Sequence, residues 1–336
     1  MTLSHRERFH ASLQAQADRP AVTAWHHFVD REWDPFQFVD ATAAFARRWD
    51  WDWVKVNTRA TLFSEIWGTQ FDRHDYAGQS VPALVAPGLT LERLAEVAAN
   101  PHSPIIQEQA SITRVLRARL PEVPLLPTVF SPLTTLYFAL GLPSAASFQV
   151  YGHQVGFGPE RVWDFDPAAV AHALEAIAET LATLVAALRD AGAEGIFYAH
   201  TAVANAHLSK DKATFDRLST PYDKTVLRAA EGSAVVLHTC GPDAHVDWFE
   251  DWPVQALSWD PTLPGNPALA DVSARAPVGG VDRNLFDGRH PLEITAQARQ
   301  AITDFQGRPF LLAPTCSLDI NYLVEADFAA LAEAVA

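Results

Sequence analysis

His238 and Cys240 stand one residue apart in "VVLHTCG" (235–241), and Cys316 is the other of the chain's two cysteines. Apolar residues lead into the motif, so it reads as the end of a buried strand. On a strand, residues i and i+2 face the same side. An imidazole nitrogen and a thiol sulfur can therefore address one point. With Cys316 they would make one histidine and two cysteines, a ligand set that holds catalytic zinc and leaves a fourth position for water or substrate. Two cysteines packed as small core hydrophobes beside a buried histidine is the other reading of the same residues.

Bringing Cys316 to this pair is a task for the fold. Eight β-rich runs are spaced along the chain: "AVTAWHH" (21–27), "DWVKVN" (52–57), "PLLPTVF" (124–130), "EGIFYAH" (194–200), "SAVVLH" (233–238), "VQALSW" (254–259), "PVGGVD" (277–282) and "PFLLAP" (309–314). Several are apolar throughout, as strands buried on both faces are. Helical patterns alternate with them. "DFDPAAVAHALEAIAETLATLVAALRDAG" opens on Asp166 and Pro167 and carries a stripe of Leu174, Ile177, Leu181, Leu184 and Leu188 before Gly192. "STPYDKTVLRAA" begins with Thr220 as its cap, and "DPFQFVDATAAFARRW", "HPLEITAQARQAITDF" and "VEADFAALAEAVA" are helical by spacing. Strand–helix alternation indicates a parallel sheet, and eight units indicate an α/β protein of the (β/α)8 TIM barrel kind. A leading helix near residues 5–16 and an insertion between strands 2 and 3, with "TLFSEIWGTQFDRHDYAG" as a hairpin, account for the surplus length. The expectation is one domain over 1–336. A doubly wound open sheet is the second choice, but "AWHHFVDREW" is nothing like the glycine-rich phosphate loop such a fold brings.

Active sites of these barrels lie at the C-terminal strand ends. Those ends carry Trp25, His26 and His27; Asn57, Thr58 and Arg59; His200; His238 and Cys240; Trp259 and Asp260; Asp282 and Arg283; and Thr315, Cys316 and Ser317. Strands five and eight are not neighbours in a barrel, so Cys316 meets His238 and Cys240 only if its loop leans over the mouth. Asp260 and Asp282 are candidates to accept the other ring proton of His238, or else to cap the turns that follow them. Trp25, His26, Asn57, Arg59, Glu65, His200 and Asp282 are candidates for the substrate pocket, with Glu65 or His200 able to fill an open metal position. Trp67 and Tyr198 are candidate pocket walls.

Composition narrows the partners. The formal charge is −15, which argues against contact with phosphate backbones. Two cysteines make no disulfide framework, and "MTLSHRERFHASLQAQ" has no apolar targeting core, so the cytoplasm is expected. Val123–Pro159 lacks any Asp, Glu, Lys or Arg, but prolines at 124, 127, 132 and 143 break it. It reads as a strand followed by an apolar segment near a pocket, not as a membrane span.

Several motifs together resemble the uroporphyrinogen decarboxylase superfamily: "RFHASLQAQADRPAV", "WDWVKVNTRATLFSEIWG", "LHTCG" after strand five, "LSWD" after strand six, and "GGVD" before the last unit. The resemblance spans nearly the whole chain and implies the barrel. Its decarboxylases carry an arginine-rich segment after strand one and an aspartate after strand two. This chain has "AWHHFVDREW", with Arg31 alone, and "VNTRA". The resemblance therefore implies the superfamily's other branch, zinc-dependent methyltransferases that work with corrinoids and a thiol such as coenzyme M. Their His-x-Cys…Cys ligand motif falls on His238, Cys240 and Cys316, although "APTCSLDINYLVEADF" lacks the glycine and prolines usual around the last cysteine. By this reading zinc activates a thiol, and His238, Cys240, Cys316 and Asp260 form the catalytic group. The corrinoid comes from a partner protein or free in solution, since "DAHVDW" (243–248) falls short of a corrinoid-binding motif and lies in an expected helix. A metal-free lyase acting on a small acid near Arg59 or Arg283, and a non-catalytic partner of a corrinoid protein, are the competing readings.

Overall fold

The computed structural model describes residues 3–76, 80–142, 157–201 and 209–336. Ten strands appear among them: β1 (Ala21–Val22), β2 (Val54–Val56), β3 (Gln70–Asp72), β4 (Ala83–Ala86), β5 (Leu125–Phe130), β6 (Gly195–His200), β7 (Ala234–Thr239), β8 (Ala256–Ser258), β9 (Ala276–Val281) and β10 (Leu311–Pro314). Eight of them make one sheet in the order β1-β10-β9-β8-β7-β6-β5-β2, with every pairing parallel. These are the eight runs expected from the sequence, and with helices between them they form the (β/α)8 barrel. Every residue of β5, β6 and β7 is buried, which is why these strands read as unbroken apolar text.

The helices begin where their caps dictate. Asp34 accepts from the amides of Phe36 and Gln37 ahead of α2 (Pro35–Arg48), which follows α1 (His5–Ser12). Asp166 accepts from the Ala168 amide at the start of helix Pro167–Asp190. In each case proline occupies the first helical position, where a missing N–H costs nothing. The 167–190 helix is long and apolar enough to cross a membrane by length and composition, but its Leu174, Ile177, Leu181, Leu184 and Leu188 are buried in the core. Thr220 is not a cap: it is the first residue of helix Thr220–Ala229, and its hydroxyl donates to Asp216. The leading helix ends at Ser12, whose hydroxyl accepts from the Ala21 amide.

The insertion differs from the expected hairpin. Thr61 starts a tight turn, with the amides of Ser64 and Glu65 donating to its carbonyl, and Leu62–Glu65 is helical. Among the described residues of that stretch only β3 is strand, and it pairs antiparallel with β4 further on. "DAHVDW" is no α-helix either. Asp243 and His245 have positive φ, and a 3-10 turn covers Val246–Phe249. Prolines aside, Pro132–Ala139 continues the charge-free stretch as a buried helix, and residues 143–156 lie outside the described chain.

The circle closes between β1 and β2 without a ladder. The Asp52 amide donates to the Val22 carbonyl at 2.9 Å, and the Thr23 hydroxyl donates to the Trp53 carbonyl at 2.7 Å. The Asp52 carboxylate anchors this joint. It accepts from Arg8 (2.9 Å), Arg19 (2.5 Å) and the Val22 amide (2.9 Å), and His5 lies 3.2 Å away. Burial alone would raise its pKa, but bonds from His5 and Arg19, with the Arg19 charge, hold it at about 2. A depressed carboxyl stabilises the fold fully above its unfolded value of about 3.9 and loses that contribution as pH falls further. Asp52→Asn is expected to cost about 3 kcal/mol of stability near neutral pH, because two arginines then face an uncharged amide. Urea unfolding measures it, and the gap between wild type and variant is expected to narrow as pH falls from about 4 to about 2.

Candidate metal centre

A cavity of about 740 Å³ opens at the C-terminal end of the strands. Its wall takes alternate residues from successive strands: Lys55 and Asn57, Thr128 and Phe130, Phe197 and Ala199, His238 and Cys240. The step of two is the strand period, so one side chain in two enters the barrel.

His238 and Cys240 thus face inward together, as their spacing requires. The His238 ring is fixed by Ser258 on the adjacent strand β8, with Oγ 3.0 Å from Nδ1. That leaves Nε2 for the cavity, 3.6 Å from the Cys316 sulfur. The ligand atoms of His238, Cys240 and Cys316 all lie within 4.8 Å of one another. Zinc bonds of about 2.3 Å to sulfur and 2.0–2.1 Å to nitrogen set tetrahedral edges of roughly 3.6–3.8 Å, so the three residues fit that ion with little movement.

The approach of Cys316 across two intervening strands is built by its loop. The Thr315 amide donates to the Val281 carbonyl (2.9 Å), Arg283 Nη1 donates to the Ser317 carbonyl (3.2 Å), and the Leu318 amide donates to the Trp25 carbonyl (3.1 Å). The loop is therefore tied to its neighbours on both sides and leans over the mouth. The Cys240 loop is held as firmly. Gly241 turns the chain with φ +97°, and the Asn266 amide donates both to the Gly241 carbonyl (3.0 Å) and to the Asp260 carbonyl (2.7 Å). Without a metal the two thiols share a hydrogen bond. The bond from Cys240, helped by His238 and Arg283, holds Cys316 far below the usual thiol range, while the same bond and burial push Cys240 up.

The remaining candidates divide by the side of the wall they occupy. Trp25 and Asn57 line the cavity. His26 does not: it points outward between Phe28, Phe45 and Phe328, where burial lowers it to about 4. Its neighbour His27 lines the cavity instead. His200 and Tyr198 also face outward. The Tyr198 hydroxyl donates to buried Asp223, His200 Nε2 lies 3.5 Å from the same carboxylate, and burial lowers His200 to about 3. Neither can reach a metal at the mouth. Arg59 and Glu65 are spent on each other, with Glu108 as a further partner of Arg59 at 2.7 Å, and both stand outside the cavity wall. Trp67 is outside as well, donating to the Ala98 carbonyl. Asp260 and Asp282 do not receive the His238 proton, because Ser258 occupies that position. Asp260 accepts from Thr262 and lies 3.7 Å from Arg283, and Asp282 caps the turn at Asn284. Arg31, the one arginine beside strand one, is exposed and paired with Asp30.

Lys55 is another cavity residue the motif reading passed over. It is buried, its ammonium donates to Asn57, and it lies over the rings of Phe197 (4.6 Å) and Trp25 (5.4 Å). A lysine in an apolar strand reads as an edge or an error, and only the inward parity of residue 55 reveals its place.

The fold is an eight-stranded barrel, and at its mouth His238, Cys240 and Cys316 form a group that could hold a metal ion. The family model of uroporphyrinogen decarboxylase (URO-D) matches residues 14–336, so the chain belongs to that family and to an enzyme superfamily. Among solved structures, a methyltransferase from Methanosarcina mazei superposes with a TM-score of 0.79 at 17% identity, covering 99% of this chain and 98% of that one. A B12-independent methionine synthase from Shewanella sp. W3-18-1, in complex with selenomethionine, gives 0.57 at 11% identity, covering 89% and 87%. At these identities the likeness is one of fold. No curated protein sequence matches the chain.

Burial pushes Lys55 down to about 7, opposed by attraction to Cys316 and Cys240. In the unfolded chain a lysine titrates near about 10.4. Between these values the unfolded state holds a proton that the folded state has released, so this group makes metal-free protein more stable as pH rises through that window. In Lys55→Met that part of the rise is expected to vanish, which urea unfolding across the window would reveal as a flatter pH profile.

Proposed function

We propose that this chain is a zinc-dependent methyltransferase that moves a methyl group from a corrinoid to a thiol or similar acceptor. The carrying observation is the convergence of His238, Cys240 and Cys316 within 4.8 Å at the floor of an open cavity. Family membership and the barrel likeness to a methyltransferase support the reading. Bound there, zinc supplies positive charge that favours the ionised form of a thiol at neutral pH. The chain's own residues do the rest. Ser258 orients His238, two cysteines and one histidine keep the ligand set neutral overall against a dication, and Trp25, Phe130 and Phe197 keep water scarce around the reacting sulfur. The acceptor sulfur then attacks the methyl carbon. A sulfur–carbon bond forms as the cobalt–carbon bond breaks, with that electron pair left on cobalt. The corrinoid arrives on a partner protein or as free cobalamin.

A second reading, a decarboxylase for a small acid, is favoured by the cations Lys55, Arg283 and Arg289 at the cavity. Metal content separates the two. Protein purified without added metal is expected to carry about one zinc per chain. Cys240→Ser and Cys316→Ser are expected to lose it, together with methylation of 2-mercaptoethanol by methylcobalamin. Ser258→Ala is expected to keep zinc with an affinity weakened by about 10-fold. Wild-type protein that binds no zinc in dialysis overturns the zinc reading and leaves the decarboxylase and the non-catalytic corrinoid-partner readings.

A further inference from the structure

Strand one sends a second histidine into the cavity, and a buried carboxylate stands behind it. His27 Nδ1 lies 3.2 Å from Glu32 Oε2, and the Glu32 side chain is 0% exposed. The local chain explains the pairing. After His27 the backbone makes one helical turn, with the amides of Arg31 and Glu32 both donating to the Phe28 carbonyl at 2.8 Å. That turn returns Glu32 beneath the imidazole. The other carboxylate oxygen, Oε1, accepts from the Tyr76 hydroxyl at 2.7 Å, and Tyr76 in turn accepts from Trp33 Nε1 at 2.7 Å. Burial and the Glu32 charge keep Tyr76 protonated, so it is a permanent donor. Arg59 lies over the Trp33 ring at 5.0 Å, and its charge faces the same cluster.

This arrangement selects a tautomer. Glu32 is held as an acceptor by Tyr76, so the proton between it and His27 belongs to Nδ1. Nε2 then carries a lone pair, and it has no protein partner among the described residues. His27 lines the same cavity as His238, Cys240 and Cys316 but is not part of their cluster. A histidine with a buried carboxylate on one nitrogen and a substrate cavity at the other is built to accept a proton.

We propose that His27, oriented by Glu32, is the general base of the site: it takes the proton that an acceptor thiol gives up on binding. The inference rests on the thiol reading above. The S–H bond breaks, the sulfur keeps the electron pair, and an N–H bond forms at Nε2. The resulting imidazolium stands 3.2 Å from the Glu32 carboxylate. The proton passes to water when the product leaves. Glu32 is a positioning residue that acts through His27, and Tyr76 brings the β3–β4 insertion into the same chain of bonds.

The test counts protons. Zinc-loaded protein is titrated with 2-mercaptoethanol by calorimetry in two near-neutral buffers of different ionisation enthalpy, which yields the protons released per thiol bound. Wild type is expected to release fewer protons per thiol bound than the variants, because His27 takes up part of them. His27→Gln preserves a donor to Glu32 but has no basic nitrogen, and is expected to release about one. Glu32→Gln is expected to fall between. If His27→Gln does not fold, judged by its thermal midpoint and zinc content, Glu32→Gln decides alone by its excess over wild type. Equal proton counts in wild type and variants overturn the proposal and leave the dyad a structural contact. Absence of thiol binding to zinc-loaded wild type overturns the thiol reading, and this inference with it.

Discussion

Three side-chain atoms, one nitrogen and two sulfurs, supplied by two strands that are not neighbours lie within 4.8 Å of one another. Most of the rim is organised around that constraint. His238 and Cys240 meet it through the strand period alone. Cys316 does not, because β9 and β8 stand between its strand and theirs. Its loop crosses the gap on hydrogen bonds to the ends of β9 and of the first strand, so backbone groups of Val281 and Trp25 fix a side chain that neither touches in sequence. Asn266 plays the matching part on the other side, joining the loops after β7 and β8 through two carbonyls.

Charge is arranged with the same economy. The cavity holds Lys55 and Arg283 near two thiols, with Asp260 behind Arg283. These cations offset the Cys316 thiolate. Arg283 has a carboxylate partner in Asp260, 3.7 Å away. Lys55 has only an amide oxygen and two ring faces, and so carries the larger burial penalty.

The barrel was legible because its strands are buried on both faces and so leave unbroken apolar runs. The convergence of His238 and Cys240 was legible because i and i+2 share a face whatever the strand's orientation. What the sequence could not supply was which of the two faces looks inward. His26 and His27 are adjacent, and a slip of one residue exchanges their places. The rim reading took His26, which lies among phenylalanines, and passed over His27, which lines the cavity. The same slip put His200 in the pocket, although Phe197 and Ala199 hold the inward parity on that strand. The polar partner of His238 was misplaced for a related reason. Carboxylates at strand ends stand out in a sequence, and Ser258, inside an apolar strand, does not. Arg59 and Glu65 show the remaining limit: nothing in their spacing reveals that they neutralise each other.

The joint between β1 and β2 has a mechanical meaning. Elsewhere the barrel wall is laced by continuous ladders, but here one backbone bond, one threonine and the Asp52 cluster hold the circle shut. The strands flanking this joint carry Trp25 and His27 on one side and Lys55 and Asn57 on the other, and all four face the cavity. The weakest stave of the cask therefore lies in the wall of the reaction chamber. Opening the barrel at this joint would break the fewest backbone bonds; Cys240 stands across from it, whereas Cys316 follows the strand paired to β1 and lies beside it. The helix at the start of the chain, through Arg8 and His5, clasps the joint from outside.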